Sequence, residues 1–192
     1  MGRLGPPPLW AREPGFPTLI HIILEQQVSL ASARAAFERL KAACAPSTLT
    51  PERFLSFDDA ELKAIGFSRQ KTLYTRHLAD AIRQGRLDLD ALAGMPDEDV
   101  HAALLQLKGV GPWSASIYLL MALGRPDAWP SGDLALAVAA QRVKRLPSRP
   151  TPGDLEAMSE AWRPWRAVAA RVLWHYYLSG SPPLDGRRTA SP

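Results

Sequence analysis

Apolar residues recur along most of this chain at intervals of three and four, the spacing that places side chains on one face of an α-helix. The first run predicts a helix over 18–27, and a second helix follows Ser29, whose hydroxyl suits an N-cap. This second helix covers 30–44, and the remaining predicted helices cover 51–55, 58–66, 69–84, 89–93, 96–108, 112–123, 134–146, 152–162 and 165–178. No stretch alternates apolar and polar residues as a β-strand does. The pattern therefore predicts an all-α fold of about ten helices.

Residues 107–114 read Leu-Lys-Gly-Val-Gly-Pro-Trp-Ser and join two predicted helices through a very short turn. Pro96 and Pro112 each stand at the first position of a helix, where the missing N–H costs nothing. Gly109 and Gly111 allow positive φ on both sides of the valine, so the chain can turn tightly. Because the turn has no large side chain, the N–H groups that begin the second helix can approach a phosphate.

A Gly-x-Gly turn on its own is more often an ordinary corner between two helices than a binding site. The residues that follow make the binding interpretation stronger, because a second candidate group lies shortly after the hairpin. The candidate DNA-binding residues of the hairpin are Lys108, Gly109, Val110, Gly111 and Ser114.

A loop rich in glycine and proline, 124–132, delivers Asp133 to the N-cap of the predicted helix 134–146. Aspartate is among the preferred N-cap residues, and most such aspartates only cap their helix. The N-terminus of a helix also favours the ionised carboxylate. Asp133 is therefore either a simple cap or a fixed anion that takes part in chemistry beside a DNA-binding hairpin.

In this order, the hairpin, the loop and Asp133 resemble the helix-hairpin-helix-GPD superfamily of DNA glycosylases. Within it, the chain is most similar to the alkylation-repair branch, the 3-methyladenine DNA glycosylase II type, over roughly Phe16 to Leu178. Three further segments carry the resemblance: Glu-Gln-Gln-Val-Ser at 25–29, Gly-Phe-Ser-Arg-Gln-Lys at 66–71 and Trp-Arg-Pro-Trp-Arg at 162–166. The resemblance implies a two-lobed helical bundle over 16–179, with the active site in the cleft between the lobes.

The terminal segments lie outside this core. Residues 1–15 are rich in proline and are expected to form an N-terminal arm, and residues 180–192 lack an apolar pattern and are expected to be disordered. Neither segment has the apolar core of a secretion signal or a membrane span. We therefore expect a cytoplasmic monomer, nucleoid-associated if the source is prokaryotic, that does not contact a membrane.

The resemblance assigns the chemistry to Asp133, which would stabilise the positively charged sugar and orient or deprotonate the attacking water. It also places Trp113 and Trp174 at the two positions whose rings line the base pocket. A purine methylated at N3 or N7 is cationic, and a cation is attracted to the face of an aromatic ring. The expected substrate is therefore double-stranded DNA that contains alkylated bases.

Gln27 occupies the position of the wedge that enters the duplex where the target nucleotide is flipped out. Relatives often have an apolar side chain there, so a glutamine departs from the pattern, although it could fill the gap and bond to the orphaned base. The break between the first two helices is expected to expose Gln26, Gln27 and Val28. Without the resemblance, two polar residues at a helix junction are equally well explained as solvated surface.

Two positions near the hairpin bear on the reaction type and on specificity. Bifunctional relatives have a nucleophilic lysine two residues after the last hairpin glycine, and here that residue is Trp113, which predicts a monofunctional enzyme. Alkyladenine relatives have a pocket tyrosine at the position of Ile117. Tyr118 is one step further, which rotates a side chain by about 100° around the helix. The pocket is therefore expected to be wider and the substrate range broader.

Charge and cysteine content narrow the remaining choices. The net charge of +4 is compatible with a polyanionic partner. Cys44 is the single cysteine, which excludes an internal disulfide and the four-cysteine iron–sulfur cluster of some relatives. Relatives hold Na⁺ or K⁺ through hairpin carbonyls, and here the corresponding carbonyls belong to Leu105, Leu107 and Val110. No cofactor is expected to be required.

The basic residues Arg69, Lys71 and Arg76 either reach the DNA backbone or form a solvated helix face. The sequence thus predicts a monofunctional glycosylase for 3-methyladenine, 7-methylguanine and related lesions. Two alternatives remain open at this point. The same fold could excise oxidised or mispaired bases, or it could serve as a non-catalytic DNA-binding protein.

Overall fold

The computed structural model describes residues 4–180, so the predicted disordered tail lies outside the described residues apart from its first position. These residues form two compact units. We call residues 11–125 the hairpin unit, and residues 4–10 together with 126–180 the aspartate unit. Among residues 4–180 there is no β-strand, which confirms the all-α prediction, and no helix in this range is long and apolar enough to cross a membrane.

The hairpin unit is built around one buried helix. Its helices are α1 (Phe16–Glu25), α2 (Leu30–Cys44), α3 (Pro51–Leu55), α4 (Asp59–Ile65), α5 (Arg69–Arg83), α6 (Asp97–Leu105) and α7 (Pro112–Met121), with a short 3₁₀ helix at Ala91–Gly94. Helix α1 packs against α2, α5 and α7. It is apolar on nearly every side, which is the pattern of a helix enclosed by others.

Local capping sets the ends of most of these helices. Ser29, Thr50 and Ser68 are N-caps as predicted, and each accepts a hydrogen bond from the main-chain N–H three residues further on. Asp58, predicted as the first residue of its helix, is also an N-cap and accepts the Glu61 N–H. The prediction for Pro96 was wrong by one position. Pro96 is the N-cap of α6, because its extended ψ of 151° is the N-cap conformation and its carbonyl already accepts the Val100 N–H.

The aspartate unit is smaller and packs around its last helix. Its elements are α8 (Leu134–Lys144), α9 (Pro152–Ser159), a 3₁₀ turn at Glu160–Trp162 and α10 (Arg166–Leu178). Helix α10 packs against α8, and α8 packs against α9. Small residues are buried on two of these helices, Ala139 and Ala140 on α8 and Ala167 and Ala170 on α10, and small side chains allow helix backbones to approach closely.

The N-terminal segment, where the sequence predicted a separate arm, is held along α10 in its described part. The His175 ring is 2.9 Å from the Leu4 carbonyl oxygen, and the Arg171 guanidinium donates to the Leu9 carbonyl oxygen at 2.8 Å. The ring of Trp10 meets the ring of Trp174 edge-on, with centroids 6.3 Å apart. Residues 4–10 therefore belong to the aspartate unit.

Candidate functional site

A main-chain hydrogen bond closes the hairpin turn, and a glycine with positive φ allows the backbone to turn there. The Val110 N–H donates to the Leu107 carbonyl at 3.0 Å, and Gly109 between them has φ of +88°. A Cβ on Gly109 would overlap the ring of Tyr74 on α5. Gly109 is thus required by its conformation and by a close contact.

Gly111 does not share this conformation, so only one of the two glycines uses the positive φ that the sequence allows. Its φ is −98° and ψ 179°, the extended conformation of an N-cap residue. Among residues 4–180, no heavy atom outside Gly111 and its two chain neighbours lies within 4 Å of the position that a Cβ on Gly111 would occupy. A glycine permits positive φ without demanding it, and here the helix start that follows at Pro112 sets the backbone instead.

The first turn of α7 begins at Pro112 as predicted, and its initial N–H groups have no acceptors within the helix. Lys108 is exposed, whereas Val110 and Ser114 are buried. The Ser114 hydroxyl accepts a hydrogen bond from the Gln26 amide at 2.9 Å. The Ser114 side chain therefore faces the protein interior, and only its main chain could serve a phosphate.

Three carbonyl oxygens of this hairpin were expected to hold a monovalent cation. Oxygen ligands of this kind suit a hard cation. The Leu107 carbonyl also accepts the Val110 N–H, but a carbonyl oxygen has two lone pairs, so the hydrogen bond leaves one for a metal. This hydrogen bond therefore does not exclude the Leu107 carbonyl as a ligand, and the cation site at Leu105, Leu107 and Val110 stays a prediction.

The turn between α1 and α2, residues 25–29, carries the predicted wedge. Gln27 is exposed and has φ of +57°, a left-handed conformation that is uncommon for residues other than glycine. Gln26 was predicted to be exposed, but it is half-buried. Its amide nitrogen donates to the Gly109 carbonyl at 2.8 Å and also to the Ser114 hydroxyl. The sequence offered no local signal for this contact, since 83 residues separate Gln26 from Gly109.

Two of the three basic residues on α5 serve the fold. The Lys71 ammonium donates to the Leu24 carbonyl at the end of α1, at 2.7 Å, and burial lowers the pKa of Lys71. Arg76 donates to the Asp59 carboxylate at 2.8 Å and to the Phe57 carbonyl at 2.9 Å. Lys71 and Arg76 are therefore neither a simple solvated face nor side chains left free for the DNA backbone, because both are bonded within the protein.

The predicted base-pocket residues of the hairpin unit differ in exposure. Trp113 is half-buried, and Ile117 is only 2% exposed. Tyr118 is fully buried, and its hydroxyl accepts the Gly15 N–H at 3.0 Å. Burial raises the pKa of the Tyr118 phenol. Tyr118 is thus a core residue, in agreement with the expectation that it does not replace a tyrosine at position 117.

Asp133 is the N-cap of α8, as predicted, and one of its oxygens is fixed by two donors. Oδ1 accepts the Leu136 N–H at 2.9 Å and the Trp174 indole N–H at 3.3 Å. Trp174 comes from α10, is 8% exposed and carries the edge contact with Trp10. The structure therefore brings together two predicted site residues, Asp133 and Trp174, and adds Trp10, which sequence reasoning did not assign to the site.

An ion-pair network holds the loop that leads to Asp133. The Asp127 carboxylate accepts hydrogen bonds from Arg166 at 2.9 and 3.0 Å and from Arg163 at 2.6 Å. Burial opposes the ionisation of Asp127, but the hydrogen bonds from Arg166 outweigh it and lower the pKa of this carboxyl. Arg163 and Arg166 belong to a segment that carried the resemblance, and their contacts here are structural.

The family model for HhH-GPD superfamily base excision DNA repair proteins matches residues 20–166. The chain belongs to this superfamily. DNA-3-methyladenine glycosylase 1 of Schizosaccharomyces pombe is 31% identical over 165 residues, which cover 85% of this chain and 72% of the relative. DNA-3-methyladenine glycosylase 2 of Escherichia coli is 30% identical over 191 residues, covering 91% of this chain and 64% of the relative.

A solved structure of the S. pombe 3-methyladenine DNA glycosylase in complex with abasic DNA has a TM-score of 0.79 and 30% identity, and the match covers 83% of this chain and 78% of that one. The putative DNA-3-methyladenine glycosylase YfjP of Bacillus subtilis is 32% identical over 165 residues, and this match covers only 56% of the relative's length. These relatives confirm the predicted resemblance to the alkylation-repair branch.

Proposed function

We propose that this HhH-GPD protein is a monofunctional DNA glycosylase that flips alkylated bases out of duplex DNA and hydrolyses their N-glycosidic bonds in base excision repair. The observation that carries the proposal is the setting of Asp133. Its carboxylate is held at the N-terminus of α8 by the Leu136 N–H and the Trp174 indole. A helix N-terminus favours the anion that the reaction requires.

The charge of the substrate explains why one carboxylate is enough. Alkylation at N3 or N7 gives the purine a positive charge, so the base can leave with the bonding electron pair without first being protonated. As the bond to C1′ breaks, positive charge develops on the sugar, and Asp133 stabilises it electrostatically. Water then attacks C1′ and gives up a proton, for which Asp133 is the candidate acceptor.

The aromatic residues supply binding to the cationic base. We assign this role to Trp113 and Trp174, because a ring face attracts a cation once water is removed. The indole of Trp174 also bonds to Asp133, so one residue would serve both the base and the carboxylate. No lysine stands at position 113, so the nucleophile for a Schiff base is missing there and the DNA strand would stay intact.

A broad range of alkylated bases is part of this proposal. Ile117 stands where the alkyladenine relatives have a tyrosine. The neighbouring Tyr118 is buried in the core, and its hydroxyl accepts the Gly15 N–H. With one aromatic side chain fewer, the pocket would discriminate less sharply among 3-methyladenine, 7-methylguanine and related lesions. The relative rates at which these bases are released from one methylated DNA sample test this part of the proposal.

The decisive experiment measures base release from duplex DNA treated with a methylating agent. We expect Asp133→Asn to reduce the rate of release at least about 100-fold, since the anion is lost. The variant should fold normally, because the asparagine carbonyl can accept the same two hydrogen bonds. The strand should remain intact until alkali is added.

Asp58→Asn is the matched control. Asp58 is the N-cap aspartate of α4 and accepts the Glu61 N–H at 2.8 Å, so it undergoes the same chemical change at the same kind of position. This variant should release bases at the wild-type rate. Wild-type protein that binds DNA but releases no methylated base, or that releases oxidised bases instead, would contradict the proposal.

A further inference from the structure

Gln26 joins the turn between α1 and α2 to the hairpin. Its amide nitrogen donates to the Gly109 carbonyl at 2.8 Å and to the Ser114 hydroxyl at 2.9 Å. Gly109 lies in the hairpin turn and Ser114 in the first turn of α7, so one side chain bonds on both sides of the peptide segment that would meet a phosphate. A glutamine amide has two N–H donors, and both have acceptors here.

The residue next to Gln26 has an unusual backbone. Gln27 is exposed and left-handed, and such a conformation persists only when the surroundings impose it. Two contacts on its N-terminal side supply that constraint. Gln26 is bonded to the hairpin, and the Leu24 carbonyl at the end of α1 accepts a hydrogen bond from Lys71.

Helix α5 connects these contacts. Lys71 bonds to the end of α1, and Tyr74, three residues further and on the same face of α5, packs against Gly109. The turn that carries Gln27 and the hairpin are therefore fastened to one helix and, through Gln26, to each other. The half-buried Gln26 and the buried Ser114 leave little room for the two segments to move independently.

We propose that Gln26 is a positioning residue that fixes the exposed side chain of Gln27 relative to the hairpin. Binding of a phosphate at the hairpin and insertion of Gln27 into the duplex then act as one event. The inference rests on the proposed function, because it takes damaged duplex DNA as the ligand. Phosphate contacts set the register of a protein on DNA, so a rigid link delivers the wedge to a defined step of the duplex.

The test is a double-mutant cycle on the full chain. Gln26→Met keeps the volume of the side chain and removes both donors, and Gln27→Ala removes the wedge. Each variant and the double variant are titrated with an undamaged duplex and with a duplex that contains a tetrahydrofuran abasic analogue. A 2-aminopurine base opposite the analogue reports insertion through its fluorescence. The melting temperature of each variant is recorded.

We expect Gln26→Met to bind the undamaged duplex as wild type does. Its preference for the abasic duplex should fall by about tenfold, the factor that one or two lost hydrogen bonds can supply. The 2-aminopurine signal should fall in parallel. The double variant should be no worse than Gln27→Ala alone, because Gln26 acts only through its neighbour. Gln84→Ala, at an exposed glutamine of the same unit, should change none of these quantities.

Ser114→Ala provides a second variant if Gln26→Met fails to fold. It removes one of the two acceptors and should reduce the preference for the abasic duplex in the same direction. Additive effects of Gln26→Met and Gln27→Ala, or equal losses on damaged and undamaged DNA, would overturn the inference. A wild-type chain that neither prefers the abasic duplex nor releases methylated bases would instead overturn the proposed function itself.

Discussion

The hairpin unit and the aspartate unit hold their functional groups in different ways. In the hairpin unit the groups predicted to meet DNA are largely main-chain atoms, and their positions depend on the conformation of Gly109 and on its contact with Tyr74. In the aspartate unit the functional group is a side chain, and a second side chain, Trp174, fixes it. The first arrangement should therefore be sensitive to backbone changes and the second to the loss of a single donor.

The strongest test of this difference is a pair of glycine substitutions in the hairpin. Gly109→Ala should lower the free energy of unfolding by about 1–3 kcal/mol through backbone strain alone, and Tyr74 must move in addition. Gly111→Ala should stay within about 0.5 kcal/mol of wild type, because its φ is ordinary and the space around it is open. Urea unfolding measures both values.

DNA binding by the same pair separates folding from function. Gly111 has no structural need for glycine in the free protein, so a loss of DNA affinity in a fully stable Gly111→Ala variant would show that the ligand approaches this backbone closely. Equal destabilisation by both substitutions would contradict the distinction between the two glycines.

Removing one donor in the aspartate unit should act chiefly on the reaction rate. Trp174→Phe keeps an aromatic ring and removes the N–H that bonds to Asp133, and a hydrogen bond to a charged group corresponds to about a tenfold or greater loss of rate. Single-turnover release of methylated bases is the appropriate measurement.

Trp129→Phe is the control for this substitution. Trp129 is buried to a similar extent, and within the described part of the chain its indole N–H has no hydrogen-bond partner. This variant removes a comparable volume without removing a hydrogen bond, so its rate should stay near that of wild type. Equal rates for the two variants would mean that the bond from Trp174 to Asp133 does not contribute.

The smallest expected effect concerns pH and the hairpin unit. Burial lowers the pKa of His21, with Glu25 partly opposing it and Arg12 adding to it. The unfolded chain therefore binds a proton at a higher pH than the folded protein does. The contribution of neutral His21 is fully present above its ordinary pKa of about 6.5 and is lost as the pH falls through the range below.

Urea unfolding at pH 7.5 and pH 5.5 should show this decrease in wild type and a weaker one in His21→Gln. Carboxyls such as Asp127, whose pKa is lowered, remain ionised across this range and contribute nothing to the difference. An unchanged slope in His21→Gln would assign the pH dependence to other groups.

Local signals account for the parts of the structure that were predictable. Ser29 and Ser68 mark helix starts to the residue, and Asp133 was placed correctly as an N-cap, because capping depends on atoms only three positions apart. The apolar spacing was sufficient for the all-α fold. The helix start at Pro96 was wrong by one position, and the freedom that a glycine allows at Gly111 left its conformation open.

Contacts between distant segments could not be predicted in the same way. Gln26 was expected on the surface, since nothing in its own neighbourhood indicates acceptors that come from the hairpin. The bond between Trp174 and Asp133 spans 41 residues, and only the resemblance to glycosylases brought both residues into one hypothesis. Trp10 was overlooked as a site residue because it precedes the stretch in which the resemblance is found.

The contact between Trp10 and Trp174 also shows that the candidate site extends beyond the residues that the family model matches. Both rings lie outside residues 20–166, the stretch that the family model matches. A protein trimmed to that stretch would retain the hairpin and Asp133 but lose the indole donor and the segment packed against it. The choice of chain ends therefore decides whether the carboxylate keeps its indole donor, even when the motif itself is complete.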